Sequence, residues 1–215
     1  MAWESVAVPP DALVWIDCEM TGLDPAVDAL VEIAVVVTDA ELNPLDEGID
    51  IVIATDAAQL ETMDDVVREM HTSSGLLDAL ATATTTLEQA EDQVLDYVKR
   101  HVPERRKAPL CGNTIATDRS FLARYMPRLD DHLHYRMIDV STIKELSRRW
   151  YPRAYYNAPA KSGGHRALAD ILESINELRY YRATVLVPPP GPDTDAARAA
   201  ATELTGAAPE PDTSG

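Results

Sequence analysis

"LVWIDCEMTGLDP" (Leu13–Pro25) sets two acids, Asp17 and Glu19, at the end of a short apolar run of Leu, Val, Trp and Ile. That run has the composition of a buried strand, and Gly22 with Asp24–Pro25 supplies a turn to end it. In a strand, residues two apart share a face, so both carboxylates point the same way. Like charges this close repel and raise each other's pKa unless a cation lies between them. A solvated strand end has the same appearance, so a metal site requires further carboxylates from elsewhere in the chain.

Working outward, two more strand-like runs follow quickly, 30–38 ("LVEIAVVVT") and 49–54 ("IDIVIA"), separated by Asn43–Pro44. Their close spacing predicts an antiparallel meander. Later strand-like runs, 109–112 and 135–139, alternate with helical segments. Thr86-x-x-Gln89 reads as a capping box opening "LEQAEDQVLDYVKR", and Thr142-x-x-Glu145 as one opening "IKELSRRW". The longest helix is expected over 165–182, with Leu168, Ile171, Leu172, Ile175 and Leu178 as its apolar stripe. Hairpin strands followed by interleaved strands and helices predict an α/β fold, a mixed sheet flanked by helices.

Residues 12–183 are the expected folded domain, behind an N-terminal extension at 1–11. From 184 to 215 the chain turns rich in Pro, Ala, Asp and Thr, a composition expected to be disordered or loosely helical around 196–204. That tail holds five acids and one arginine, so most of the formal charge of −17 lies on the body. Such acidity argues against a protein that coats long nucleic acid, which needs a basic stripe to neutralise many phosphates. It leaves room for a short nucleic-acid substrate held by a few local groups and metal ions. No run reaches the ~18–20 apolar residues of a membrane span. The start, "MAWESVAVPPD", lacks a basic region followed by an apolar block, and Cys18 and Cys111 lie in apolar runs as reduced thiols would. The expected location is cytoplasmic.

Three more positions stand out. Asp118, in "LCGNTIATDRSFLARYM", opens a helix after a strand and a Gly-Asn turn, where any Asp is favoured by the helix dipole. His165 and Asp170 lie in "KSGGHRALADILES", where a double glycine delivers a His to the mouth of a helix. Five residues apart on one helix they would point roughly 140° apart, so they converge only if His165 sits on the loop or in the first, irregular turn, where the double glycine allows it.

Together these residues resemble the DEDDh 3′-to-5′ exonucleases, a family with a ribonuclease H-like fold. The family pattern is Asp-x-Glu on the first strand, an Asp at a later helix start, and His-x(4)-Asp on a C-terminal helix, matched by Asp17, Glu19, Asp118, His165 and Asp170. Within that family the strings "WIDCEMTGLDP", "CGNTIATDRSFLARYMP", "HYRMIDVSTIKELSRRWYP" and "HRALADILESINELRYYR" resemble the oligoribonuclease group, over residues 12–183. The resemblance implies hydrolysis of phosphodiesters with two divalent ions, Mg2+ or Mn2+, about 4 Å apart. It implies that Asp17 bridges the ions, that Glu19 and Asp170 complete the nucleophile side, that Asp118 serves the leaving-group side, and that His165 is the general base.

It further implies a substrate limited to very short RNAs, dinucleotides included. Leu23 would wedge against the bases, and Tyr135 would stack on the 5′-side base from the other subunit of a homodimer. Arg136 and Ser141, with Thr142 and Thr114, would close a cap on the 5′ phosphate, and His71 would lie beside the substrate. Thr114 departs from the Ser usual there but keeps the hydroxyl. The loop at 151–164 is expected to order on substrate binding and swing His165 into place, and "KRHVPERRK" (99–107) to be a solvated helix end or a steering patch. A general exonuclease acting on longer RNA or DNA 3′ ends would share the five residues and lack the cap. A degenerate nuclease fold serving as a binding module would be expected to have lost a ligand, and none is missing. A phosphatase built on an Asp nucleophile would need a Lys and further motifs that are not found.

Overall fold

The computed structural model describes residues 11–160 and 164–206. In chain order the described elements are β1 (Leu13–Met20), β2 (Leu30–Thr38), β3 (Ile49–Val52), α1 (Ala57–Leu60), α2 (Asp65–Ser73), α3 (Leu76–Leu80), α4 (Leu87–His101), β4 (Pro109–Gly112), α5 (Ala116–Tyr125), α6 (Pro127–His132), β5 (His134–Asp139), α7 (Val140–Trp150), α8 (Pro152–Tyr156), α9 (Ala167–Thr184) and α10 (Thr194–Thr205). The strands form one mixed sheet in the order β3-β2-β1-β4-β5. The pairs β3–β2 and β2–β1 are antiparallel, as the meander predicts, and β1–β4 and β4–β5 are parallel.

Alternation along β1 divides the core into two layers. Val14, Ile16 and Cys18 face α4 and α5, packing with Val94, Phe121 and Leu122. Trp15, with Ala34 and Val36 of β2, faces the other way and packs against Ile171 and Ile175 of α9 and Val140 of α7. Buried on both faces, β2 explains its nearly continuous apolar sequence. The turn after β1 is held by Asp28, whose carboxylate accepts the Asp24 N–H at 2.8 Å and the Thr21 hydroxyl at 3.3 Å. A Cβ on Gly22 would come within 2.6 Å of Asp28 Cγ, so a larger residue there would displace the carboxylate that holds the turn.

Thr86 and Gln89 form the expected capping box. Thr142 does not open α7. The helix starts at Val140, with Asp139 as N-cap accepting the Ser141 N–H, because an Asp caps at least as well as a Thr and the earlier start buries Val140. The stripe of α9 is also shifted. Ala167, Ile171, Ser174 and Ile175 are buried, whereas Leu172 is 44% exposed because it lies one position round the helix. Of the tail, residues 194–205 form α10, which buries no residue. Residues 1–10 and 207–215 lie outside the described residues.

Candidate active site

β1 extends past its parallel partner, and its last residues carry the acids. The β1–β4 register pairs Val14 with Leu110 and Trp15 with Cys111, and β4 ends at Gly112. On the other edge Asp17 stands opposite Ala34 and Glu19 opposite Glu32, and the register then shifts between Glu19 and Met20. Such a bulge re-aims side chains at a strand end. Asp17 and Glu19 share the face of Trp15, the face covered by α9. Asp170 lies in the first turn of α9. Carboxylate oxygens of Asp17, Glu19 and Asp170 therefore come within 4.8 Å of one another.

Asp118 reaches the same place from the opposite layer. It is buried in the first turn of α5, and its Oδ1 accepts the Cys18 N–H at 2.9 Å, on the stretch of β1 that β4 does not cover. Burial raises Asp17, Glu19 and Asp118, and repulsion from neighbouring carboxylates adds to it. Asp17 is pushed up to about 9 by burial and then by Asp118, Glu19 and Asp170. Glu19 is pushed up to about 8 by burial and then by Glu32 and Asp170, with Arg166 opposing. Asp118 is pushed up to about 7 by burial, against the lowering effect of the Cys18 N–H.

The donor set suits a hard divalent cation. It is built only of carboxylate oxygens, gathered from two elements and held close at the expense of their ionisation. Magnesium and manganese take such ligands and complete their shells with water and phosphate oxygens.

His165 lies on the loop, outside the helix. It is exposed, with a left-handed φ of +45°, and α9 begins two residues later. The preceding loop includes helix α8, tied down where Tyr180 donates to the Ala154 carbonyl at 2.7 Å, and 161–163 lie outside the described residues. Leu23 is 78% exposed beside the β1 turn. His71 is fully buried. Its Nε2 donates to the Met20 carbonyl at 2.9 Å, and its Nδ1 lies 3.8 Å from Glu19, so it backs the end of β1.

Thr114 and Ser141 are brought together by Asp139. The Thr114 N–H, at a left-handed φ of +54°, donates to Asp139 Oδ1 at 3.0 Å, and the Ser141 hydroxyl donates to the same oxygen at 2.5 Å. Thr142 adds its hydroxyl to Asp139 Oδ2 at 3.3 Å. Tyr135 and Arg136 stand on the edge strand β5, both exposed, with the guanidinium 5.5 Å from the ring centre. Tyr135 stacks on His134 at 4.4 Å. Within 99–107, His101 is paired with Asp46, and Arg105 and Arg106 with Asp131.

Two groups beside the acids were missed. Asp139 organises the hydroxyls, and Glu32 with Arg166 forms an ion pair at 2.6 Å where α9 begins. Glu32 had a visible signal, a single acid in a nine-residue run of otherwise apolar residues and one Thr. An acid so placed demands a partner.

The chain matches a family model described as "Exonuclease" over residues 14–178. It is 64% identical over 195 residues to the oligoribonuclease of Streptomyces griseus, covering 91% of this chain and 96% of that one. To the oligoribonuclease of Streptomyces avermitilis it is 66% identical over 188 residues, covering 87% and 94%. Among solved structures it superposes on exonuclease I from Methylocaldum szegediense with a TM-score of 0.58 at 18% identity, covering 81% of this chain and 41% of that one. The chain thus spans about two fifths of that nuclease, a likeness of fold.

Proposed function

The chain belongs to the exonuclease family and, within it, to the oligoribonucleases, and we propose that this 3′-to-5′ exoribonuclease acts on very short RNAs, dinucleotides above all. The observation that carries the chemistry is the convergence of Asp17, Glu19 and Asp170 within 4.8 Å, with Asp118 at the same strand end. Asp17, Glu19, Asp170 and Asp118 would hold two divalent ions, Mg2+ or Mn2+. When bound, the ions supply an activated water and stabilise the leaving 3′ oxygen.

The residues of the chain do the rest. His165 takes the proton from the attacking water at an imidazole nitrogen, and its exposed position outside α9 lets it approach the substrate from the solvent side. Leu23 wedges against the bases. Arg136, Ser141 and Thr114 hold the 5′ phosphate through charge-assisted and hydroxyl hydrogen bonds, and His71 holds the end of β1 under the substrate. Tyr135 stacks on the 5′-side base of a substrate bound to a second copy of the chain. Its 72% exposure on an edge strand supports a homodimer. Among the described residues no helix is long and apolar enough to cross a membrane. Two buried free thiols fit a reducing compartment, the cytoplasm.

The test is the initial rate on 5′-labelled RNAs of two, five and about twenty nucleotides, with Mg2+ and with chelator, since an extended groove holds roughly 4–16 nucleotides per binding fold. A dinucleotide that is much the fastest, silenced by chelator, supports the capped two-ion site. Rates that stay flat or rise with length leave a general exonuclease without the cap.

A further inference from the structure

Glu32 is fully buried in β2, one strand away from the acids of β1. Its carboxylate is engaged from three sides. Oε1 accepts the Arg166 Nε–H at 2.8 Å and faces Arg166 Nη2 at 2.6 Å, and Oε2 accepts the Ala167 N–H at 3.2 Å. Arg166 Nη2 also lies 3.6 Å from Asp50 on β3. Arg166 is the N-cap of α9 and offers no side-chain cap of its own. A carboxylate from the sheet therefore caps this helix, at the end where the helix dipole favours a negative charge.

The two residues so held, Arg166 by its side chain and Ala167 by its N–H, lie between His165 and Asp170. On one side His165 is exposed, in a conformation unfavourable for a residue with a Cβ, and follows Gly164, whose surroundings are open. On the other side Ala167, in the first turn, and then Ile171 and Ile175 seat α9 on the sheet. The Glu32–Arg166 pair thus holds the chain just where it passes from His165 to Asp170, beside the buried Ala167. With Glu32 fully buried and Arg166 34% exposed, such a pair is weak evidence for a gain in stability.

We propose that Glu32 and Arg166 are positioning residues for the hydrolysis, setting where His165 leaves α9 and how Asp170 meets Asp17 and Glu19. The proposal rests on reading His165 as the base and Asp170 as a metal ligand.

The test compares Arg166→Ala, Arg166→Lys, Glu32→Gln and the Arg166→Ala/Glu32→Gln double variant with the parent and with His165→Ala, using a dinucleotide and Mg2+, with a melting curve for each. Arg166→Ala should lower kcat roughly 10- to 100-fold, the usual cost of removing an outer partner of a metal-site residue. KM should stay within about threefold, because ground-state binding is untouched. Arg166→Lys should recover part of the loss, since an ammonium keeps one contact of the fork. The double variant should lose no more than the worse single one, because the pair acts as a unit. An undiminished kcat in Arg166→Ala, additive losses in the double variant, or losses that only follow the unfolded fraction would overturn the proposal. If Arg166→Ala does not fold, Arg166→Lys and Glu32→Gln carry the same comparison, each expected to melt above the assay temperature with a lowered kcat. An inactive His165→Ala beside a fully active Arg166→Ala sinks the clamp alone. An active His165→Ala sinks the base assignment on which it rests.

Discussion

Asp17 is the residue on which the acidic cluster turns, because burial and four nearby carboxyls all disfavour its charge. Replacing it with Asn keeps the shape and removes a carboxyl that the fold holds protonated and the unfolded chain would ionise. Asp17→Asn should therefore abolish dinucleotide turnover, raise the melting temperature measured in chelator, and erase the gain that Mg2+ gives the parent. Thermal scans with and without metal, beside a rate assay, check all three, and retained turnover would undo the metal assignment. Tyr135 presents the opposite case. Its ring is 72% exposed, so Tyr135→Ala should leave stability within about 0.5 kcal/mol. If it stacks on a base across a dimer, kcat/KM on a dinucleotide should fall roughly 5- to 150-fold, the equivalent of about 1–3 kcal/mol. An unchanged kcat/KM would remove Tyr135 from the substrate site.

At the scale of elements, helix starts do two different jobs in this chain. The α4 start is closed by Thr86 and Gln89 alone, on the layer away from Asp17 and Glu19. Thr86→Ala should cost about 1 kcal/mol, lowering the melting temperature by roughly 2–4 °C, and leave the rate on a dinucleotide unchanged. A lowered kcat there would mean that the α4 layer communicates with the acids. The α7 start is different, since the Asp139 that caps it also gathers Thr114 and Ser141. The α9 start is held by a residue of β2, so this helix is positioned by the sheet and not by its own sequence.

For the whole molecule, the acids couple metal binding to stability. Asp118, Glu19 and Asp17 keep their protons in the fold up to about 7, 8 and 9, where the unfolded chain has lost them above its ordinary values of 3.8 to 4.5. The stability they contribute is complete below those ordinary values and is lost as pH rises through the folded ones. In chelator the melting temperature should fall between about pH 5 and pH 9, and the gain from added Mg2+ or Mn2+ should grow over the same interval. The general repulsion of a chain with a formal charge of −17 acts in the same direction. The slope specific to the site is read from Asp17→Asn, which should be shallower than the parent. Equal slopes would place the effect on the surface charge.

The sequence by itself determined the strand order of the meander, the α4 capping box and the existence of α9, and it singled out Asp17, Glu19, Asp118, His165 and Asp170 as candidates. Each of these is written in a short local pattern: an apolar run, a turn, a cap, a fixed spacing. Helix ends decided by competition were less legible, and Asp139 displaced Thr142 because burying Val140 favoured the earlier start. Only the tertiary structure decided what lies next to what. Glu32 and Arg166 are 134 residues apart, and Asp118 reaches Cys18 across 100. Such contacts depend on the register of β2 against β1 and on the angle at which α9 meets the sheet. Those are properties of packed surfaces, and no local run of residues encodes them.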